Sequence, residues 1–171
     1  MAAMMKAVAA LTRQFELPPA AKSSALREQR WRGLRIGNLG LLVAHDSGGE
    51  LLEEARIYPL PSTPAWCRGL INLRGQLIPA FDLHECFNLT RLRPLRQWWL
   101  ILGKDADALA IAIDALPQSL LVHEAAIIRP EAIPDDLRAY VGQAYRVAEE
   151  LWLEFRHRDF FLSLAGSRAI N

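Results

Sequence analysis

Alternating hydrophobic and polar residues between positions 64 and 87 predict a β-hairpin. Two runs, Gly69–Arg74 and Gln76–Asp82, meet at the step Arg74-Gly75. Glycine suits this turn because it adopts a positive φ at little cost. Successive strand side chains point to opposite faces, so Ile71 and Asn72 fall on different sides of the first strand. The hairpin therefore has one core face and one polar face.

The second strand of this hairpin is apolar at every position from Leu77 to Phe81. This predicts a strand buried on both faces. Pro79 lacks a backbone N–H, which indicates an edge strand or a bulge at that point. Asp82 then predicts the N-cap of a short helix over residues 83–89, because its side chain can accept a backbone N–H.

Short alternating runs separated by turn residues continue along the chain. The other predicted strands are 31–36, 39–44, 50–58, 98–102, 108–113, 120–123, 126–128, 141–147 and 151–155. Gly37-Asn38 is typical of a two-residue hairpin turn, and a closing turn of helix is predicted at 159–164. Many short strands with little helix between them predict an all-β fold of small antiparallel barrels.

A different pattern precedes the strands. Four apolar residues recur at helical spacing, at positions 4, 8, 11 and 15, and Pro18-Pro19 ends the predicted amphipathic helix. This helix either packs on the main domain or contacts a partner or a second copy, which would give weak self-association. Three parts are expected: an N-terminal helix and linker (1–30), the main domain (31–165) and a C-terminal tail (166–171).

Composition narrows the class of protein. The chain has 171 residues, a net charge of +1 and two cysteines. That charge gives no reason to expect a nucleic-acid partner, and two cysteines do not make a disulfide framework. No apolar stretch approaches the roughly 20 residues that span a bilayer, and residues 1–15 fit a secretory signal poorly. We expect a cytoplasmic protein without membrane insertion.

Few residues resemble a catalytic site. His84 and Cys86, with Cys67, suggest a small metal-dependent enzyme as an alternative, although the usual zinc-ligand spacings are missing. Neither a glycine-rich phosphate loop nor a nucleophile elbow occurs. A compact β-domain of this kind is more often a binding module, so we expect neither catalytic residues nor a cofactor.

The stretch from Trp66 to Leu83 resembles the signature of CheW-like domains. That signature begins with a glycine, two aliphatic residues, an asparagine, an apolar residue and Arg-Gly, and it continues as an aliphatic strand that ends in Asp-Leu. In this chain the first part is Gly69-Leu70-Ile71-Asn72-Leu73-Arg74-Gly75, and the strand ends at Asp82-Leu83. Weaker matches follow the family order, at Glu50–Leu52, Leu60-Pro61, Ala112–Leu116, Val141-Gly142 and Leu151–Phe155. The resemblance covers about residues 31 to 164.

This resemblance implies two small SH3-like five-stranded β-barrels packed around a shared hydrophobic core, with short accessory helices. It also implies a non-catalytic adaptor of two-component signalling, which couples methyl-accepting chemoreceptors to a CheA-type histidine kinase. Such an adaptor binds the CheW-like regulatory domain of the kinase through the outer surface of one barrel. It binds the receptor tip through the groove between the barrels. A module that binds only one of these partners is the alternative.

The resemblance also suggests roles for individual residues. Glu50 and Arg74 would form an ion pair near the binding surface, and Asn72 would satisfy backbone groups of the turn at Gly75. Trp66 is a candidate binding hot spot, or it packs over the end of a barrel. The N-terminal extension and the loop around Trp66 look most similar to the pilus-associated, PilI-like branch of twitching motility. The family's usual acidic residue at position 115 is replaced by alanine.

Overall fold

The computed structural model describes residues 28–91, 97–129 and 133–166. The predicted N-terminal helix and the residues after Gly166 lie outside this range. The strands are β1 (Glu28–Ile36), β2 (Leu39–Ala44), β3 (Gly48–Leu52), β4 (Ile57–Tyr58), β5 (Cys67–Leu73), β6 (Gln76–Phe81), β7 (Trp98–Leu102), β8 (Leu109–Ile113), β9 (Gln118–His123), β10 (Ile127–Ile128), β11 (Val141–Val147) and β12 (Glu150–Phe155). The helices are α1 (Leu83–Phe87), α2 (Asp135–Arg138) and α3 (His157–Gly166), with single 3-10 turns at Asp105–Asp107 and Glu124–Ala126.

The described strands form two sheets. The first has the order β10-β11-β12-β2-β1-β9 and the second the order β3-β7-β8-β6-β5-β4. In each sheet the two outermost strands are consecutive in the chain, joined by residues 53–56 or 124–126, so each sheet curls into a small barrel. We call them barrel A (β1, β2 and β9–β12) and barrel B (β3–β8). Each contains five strands of five or more residues and one two-residue strand, which confirms the predicted all-β fold of two SH3-like barrels.

Strand alternation divides the core into three clusters. Barrel B and barrel A each enclose a small cluster, and the largest cluster lies between them. Strand β8 shows the principle, because Ala110 and Ala112 fill the narrow interior of barrel B while Leu109, Ile111 and Ile113 face the shared core. Small residues thus fit the barrel interior, and large branched residues fill the wider space between the barrels.

Two glycines make room for the largest side chain inside barrel A. The Trp152 ring is 1% exposed, and a Cβ atom at Gly33 or Gly40 would lie within 2.8 Å of one of its ring atoms. Neither glycine has a left-handed backbone, so both are required by close approach rather than by conformation. The cation of Arg35 lies 4.3 Å from the centre of the same ring, where it is attracted by the negative face of the aromatic system.

The central hairpin is confirmed as β5 and β6, with the turn at Arg74-Gly75. Of the two alternatives predicted at Pro79, the edge strand is wrong, since β6 lies between β5 and β8. A register shift of the β5–β6 ladder does lie beside the proline, between the pairs Gly69–Ala80 and Cys67–Phe81. Pairing of β6 with β8 begins at Ala80, one residue after the proline, so the missing N–H does not interrupt the β6–β8 ladder. The prediction that the second strand is buried on both faces is wrong at Leu77, which is 60% exposed.

Other predicted elements differ in their bounds. The single strand predicted over 50–58 is two strands, β3 and β4, because the chain turns at residues 53–56 to pass from one edge of barrel B to the other. Helix α1 ends earlier than predicted, at Phe87, because Asn88 adopts a left-handed φ of 49°. Helix α3 begins at His157, before the predicted position 159. Among the described residues, no helix has the length and hydropathy to cross a bilayer.

Candidate functional site

The turn between β5 and β6 presents the motif residues to solvent. Both turn residues have positive φ, 52° at Arg74 and 89° at Gly75, as a two-residue hairpin of the mirror-image type requires. The Asn72 side chain accepts the backbone N–H of Gly75 at 2.9 Å, in agreement with its expected turn-capping role. A left-handed arginine is unfavourable by itself, and sequence reasoning assigned the positive φ to the glycine alone.

Arg74 forms the expected ion pair with Glu50. Its Nη2 lies 2.9 Å from Glu50 Oε1, and the two side chains are 79% and 34% exposed. Glu50 belongs to β3, at the opposite edge of the sheet from β5, so the pair spans the mouth of barrel B. Such an exposed pair contributes only about 0–1 kcal/mol to stability. The pair therefore adds little to the stability of the fold, and its main effect is to place two charges at the rim of the barrel.

Exposed apolar residues lie on the outer face of barrel B beside this pair. Leu77, directly opposite Asn72 in the β5–β6 ladder, is 60% exposed. Tyr58, Leu70 and Pro79 line up across β4, β5 and β6, and Tyr58 is 44% exposed. We call Tyr58, Leu70, Leu77 and Pro79 the outer strip; Leu70 and Pro79 are half-buried. An exposed apolar strip next to a charged pair is typical of protein–protein interfaces.

Trp66 is half-buried in the turn that precedes β5. Its ring centre lies 5.9 Å from that of Phe81, and Phe81 lies 4.7 Å from Phe161 of α3. The backbone carbonyl of Trp66 accepts the N–H of Asp82 at 2.8 Å. These contacts show Trp66 packing over the end of barrel B, which was the structural interpretation. A contribution of its exposed edge to binding remains a prediction.

A buried ionic cluster lies where α1 meets the two barrels. His84 Nδ1 is 3.0 Å from Asp82 Oδ1, and His84 Nε2 is 2.9 Å from Asp114 Oδ2. Arg91 donates to the other oxygen of Asp82, and Gly37 donates its N–H to Asp114 Oδ2 at 2.6 Å. The His84, Asp82 and Asp114 side chains are at most 5% exposed. Sequence reasoning gave Asp82 as part of the family signature and as an N-cap, and the bond from the His84 N–H confirms the N-cap.

The contacts in this cluster favour the charged forms of Asp82 and His84. Burial raises the pKa of Asp82, but hydrogen bonds from His84 and Arg91 outweigh it and hold the pKa below its ordinary value. Burial lowers the pKa of His84, but the hydrogen bonds to Asp82 and Asp114 outweigh it and raise the pKa above its ordinary value. The sequence signal for this cluster was weak, because Asp114 lies 30 residues from His84.

The alternative metal site is wrong. Both ring nitrogens of His84 face carboxylates, and the described residues hold no group of three or more His, Cys, Asp or Glu side chains that could bind a metal ion. Cys67 is buried. Burial, followed by the charges of Asp82 and Glu85, raises the pKa of Cys86 to about 12. That thiol therefore stays protonated and is a poor ligand or nucleophile at neutral pH.

Comparison with known proteins settles the family. A family model described as a CheW-like domain matches residues 35–159. The chain belongs to the CheW-like domain family. The match includes the ion pair, the turn at Gly75 and the buried ionic cluster, and it spans both barrels.

Similarity to individual relatives is partial. PilI of Pseudomonas aeruginosa is 39% identical over 71 residues, which cover 40% of this chain and 39% of that protein. The chemotaxis protein CheW of Treponema pallidum is 27% identical over 89 residues, 49% and 52% of the two chains, and FrzA of Myxococcus xanthus is 34% identical over 61 residues, 36% and 38%. The matched part thus spans between about two fifths and one half of these relatives.

The fold has a solved counterpart. The crystal structure of the scaffolding protein TtCheW from Thermoanaerobacter tengcongensis aligns with a TM-score of 0.64 at 19% sequence identity. The alignment covers 75% of this chain and 89% of TtCheW. At this identity the likeness establishes the two-barrel fold.

Proposed function

We propose that this CheW-like protein is a non-catalytic adaptor of a bacterial chemosensory system. It couples methyl-accepting chemoreceptors to a CheA-type histidine kinase in the cytoplasm. Support comes from the family and from the names of its relatives, which include a chemotaxis protein CheW and a scaffolding protein. The described residues add the surface features of a binding module.

The observation that carries this proposal is the outer face of barrel B. The outer strip lies beside the exposed Glu50–Arg74 pair, on a hairpin that Asn72 holds in one conformation. A rigid face with an apolar centre and a charged rim is suited to docking another folded domain. We assign this face to the regulatory domain of the kinase, and the groove between the barrels to the receptor tip.

Titration calorimetry with the two separate partners tests the proposal. The full-length protein is titrated with the isolated regulatory domain of the cognate kinase, and separately with a receptor signalling-tip fragment. Binding of both supports the adaptor function. Binding of only one supports the alternative of a single-partner module, and binding of neither contradicts both.

A matched pair of variants tests the assignment of the kinase to the outer strip. Leu77→Ser removes an exposed apolar side chain from barrel B, and Leu121→Ser removes one of similar exposure, 51%, from barrel A. We expect Leu77→Ser to weaken kinase binding about tenfold or more, equal to about 1.4 kcal/mol, with receptor binding unchanged. Equal effects of the two variants would contradict the assignment.

The pathway served is proposed from relatives. The match to PilI and the N-terminal extension favour twitching motility over flagellar chemotaxis. Deletion of the gene in its own organism, followed by separate swimming and twitching assays, distinguishes the two. Loss of twitching with normal swimming supports the pilus-type pathway.

A further inference from the structure

The carboxylate of Asp114 joins the two barrels. Asp114 directly follows β8 of barrel B, and its Oδ2 accepts the N–H of Gly37, in the β1–β2 turn of barrel A, at 2.6 Å. Its own N–H donates to the carbonyl of Arg35 at 2.9 Å. A Cβ at Gly37 would lie 2.7 Å from the carbonyl oxygen of Thr90, so the turn is closely seated against the segment after α1. Asp114 thus holds a hairpin turn of one barrel against the other.

Counting protons assigns the charge of His84. Its two ring nitrogens face Asp82 at 3.0 Å and Asp114 at 2.9 Å. Ionised carboxylates only accept hydrogen bonds, so both nitrogens must carry hydrogen for both carboxylate contacts to be favourable. Arg91 Nη1, 3.4 Å from Nδ1, is then a like-charged neighbour of the ring and not a hydrogen-bond donor to it. A neutral ring has one bare nitrogen, and that lone pair would face a carboxylate oxygen in a buried site. The geometry is therefore that of an imidazolium held between two carboxylates.

The balance of charges in the cluster also favours a protonated His84. The groups that face His84 or its carboxylate partners are Asp82, Asp114, Arg91, Glu85, Arg68 and the protonated thiol of Cys86. Arg68 lies 4.0 Å from Asp82, and its side chain is 45% exposed, while Arg91 contacts Asp82 directly and lies 3.9 Å from Glu85. The buried carboxylates of Asp82 and Asp114 are balanced by buried His84 and by Arg91, whose side chain is 27% exposed. Loss of the His84 proton would leave an uncompensated buried negative charge, which is costly.

We propose that His84 is a proton-dependent clamp that fixes barrel A against barrel B. With its proton, His84 neutralises Asp114 and keeps that carboxylate in place to hold the N–H of Gly37. When the proton leaves Nε2, the bare nitrogen repels Asp114, which turns towards solvent, and the β1–β2 turn is released. The clamp acts on barrel alignment, so it does not depend on which partner the protein binds.

The direction of the pH effect follows from the protonation equilibrium. The contacts raise the pKa of folded His84 above its ordinary value of 6.5. The clamp is therefore fully present below pH 6.5 and is lost as pH rises through the raised value. Each unit by which the pKa of His84 is raised corresponds to about a tenfold difference in the equilibrium between the closed and the open turn.

The first test is a titration of the histidine ring nitrogens of the unmodified protein by ¹⁵N NMR. We expect His84 to have two protonated nitrogens at pH 6.5 and to titrate above that value. His157 is an internal comparison, since burial lowers its pKa and it should titrate below 6.5. A neutral His84 ring at pH 6.5 would overturn the proposal, and this measurement needs no variant.

The second test is hydrogen exchange at the backbone N–H of Gly37 across the same pH range, corrected for intrinsic exchange. Protection should fall about tenfold or more as His84 loses its proton. His84→Gln should remove this pH-dependent step, and His123→Gln, a change at a histidine whose side chain is 49% exposed, should keep it. A step that is missing in the unmodified protein, or that persists in His84→Gln, contradicts the clamp.

Discussion

Arg74 and Glu50 meet at 2.9 Å across the mouth of barrel B, although 24 residues separate them in the chain. The pair ties the β5–β6 turn to the edge strand β3 and leaves most of the guanidinium in solvent. Its exposure means that its charges are available to a partner, and that its loss has little effect on folding.

Replacing Arg74 with asparagine separates binding from stability. Asparagine tolerates the φ of 52° better than arginine does, so Arg74→Asn should leave the melting temperature unchanged or slightly raised. Affinity for the kinase regulatory domain should fall about tenfold, or about 1.4 kcal/mol. Calorimetric titration and thermal unfolding measure the two effects. The control variant Arg158→Gln removes an arginine that is 72% exposed on α3 and should change neither the melting temperature nor the affinity. Parallel losses of stability and affinity in Arg74→Asn would show that Arg74 has a purely structural role.

The turn glycine gives a backbone prediction. A Cβ at Gly75 would meet no atom within 4 Å, so a side chain there causes strain only through the φ of 89°. Gly75→Ala should destabilise the protein by about 1–2 kcal/mol in urea unfolding. Gly75→Asn should lose clearly less stability than Gly75→Ala, because asparagine adopts the left-handed region more readily than alanine does. Equal losses for the two variants would point to a steric cause instead.

Close packing around Trp152 predicts a contrast between two strand glycines. A Cβ at Gly40 would lie 2.7 Å from the Leu151 carbonyl oxygen and 2.8 Å from the Trp152 ring, neither of which can move freely. Gly40→Ala should cost about 1–3 kcal/mol. At Gly142 the nearest atoms belong to the end of the Glu154 side chain, which can rotate away at the cost of its hydrogen bond from the Gln143 N–H. Gly142→Ala should therefore cost less, about 1 kcal/mol or below. Chemical unfolding of both variants measures the two losses of stability. A larger loss in Gly40→Ala would show that the contacts with the Leu151 backbone and the Trp152 ring cause the difference, and equal losses would contradict this.

Acid stability should depend on Asp82. Its pKa is lowered in the folded protein, so its contribution is present above the ordinary value of 3.8 and is lost as pH falls through the folded value. Asp82→Asn keeps an acceptor for the helix cap but removes the charge that balances His84 and Arg91. We expect a loss of roughly 3 kcal/mol at pH 7 and a weaker dependence of unfolding on pH below 4. Asp159→Asn, at an aspartate 60% exposed, is the control and should retain the acid dependence.

The cysteines should react slowly in the native state. Cys86 has a pKa raised to about 12 and Cys67 is buried, so little thiolate is accessible at pH 7.5. Ellman's reagent should label both thiols readily in guanidinium chloride and only slowly in the folded protein. Fast native labelling that Cys86→Ser removes would show that the environment of this thiol is not the one described.

Local pattern was sufficient for most of the strands. Alternation and turn residues located the hairpins at Gly37-Asn38 and Arg74-Gly75, because both depend on neighbours within a few residues. The same reasoning failed at residues 50–58 and for the edge position predicted at Pro79. The path of a chain from one sheet edge to the other, and the identity of the interior strands, depend on pairings that are distant in sequence.

The sequence by itself determined the signature around Asn72 and Arg74, the family it indicates and the all-β class, since these depend on residue type and short-range periodicity. Only the tertiary structure decided that His84 is held between Asp82 and Asp114 and that Gly37 bonds to the same carboxylate. Those four groups come from three separate parts of the chain, since Asp82 and His84 are neighbours. Packing of the shared core brings them together, and burial then makes their charges interdependent.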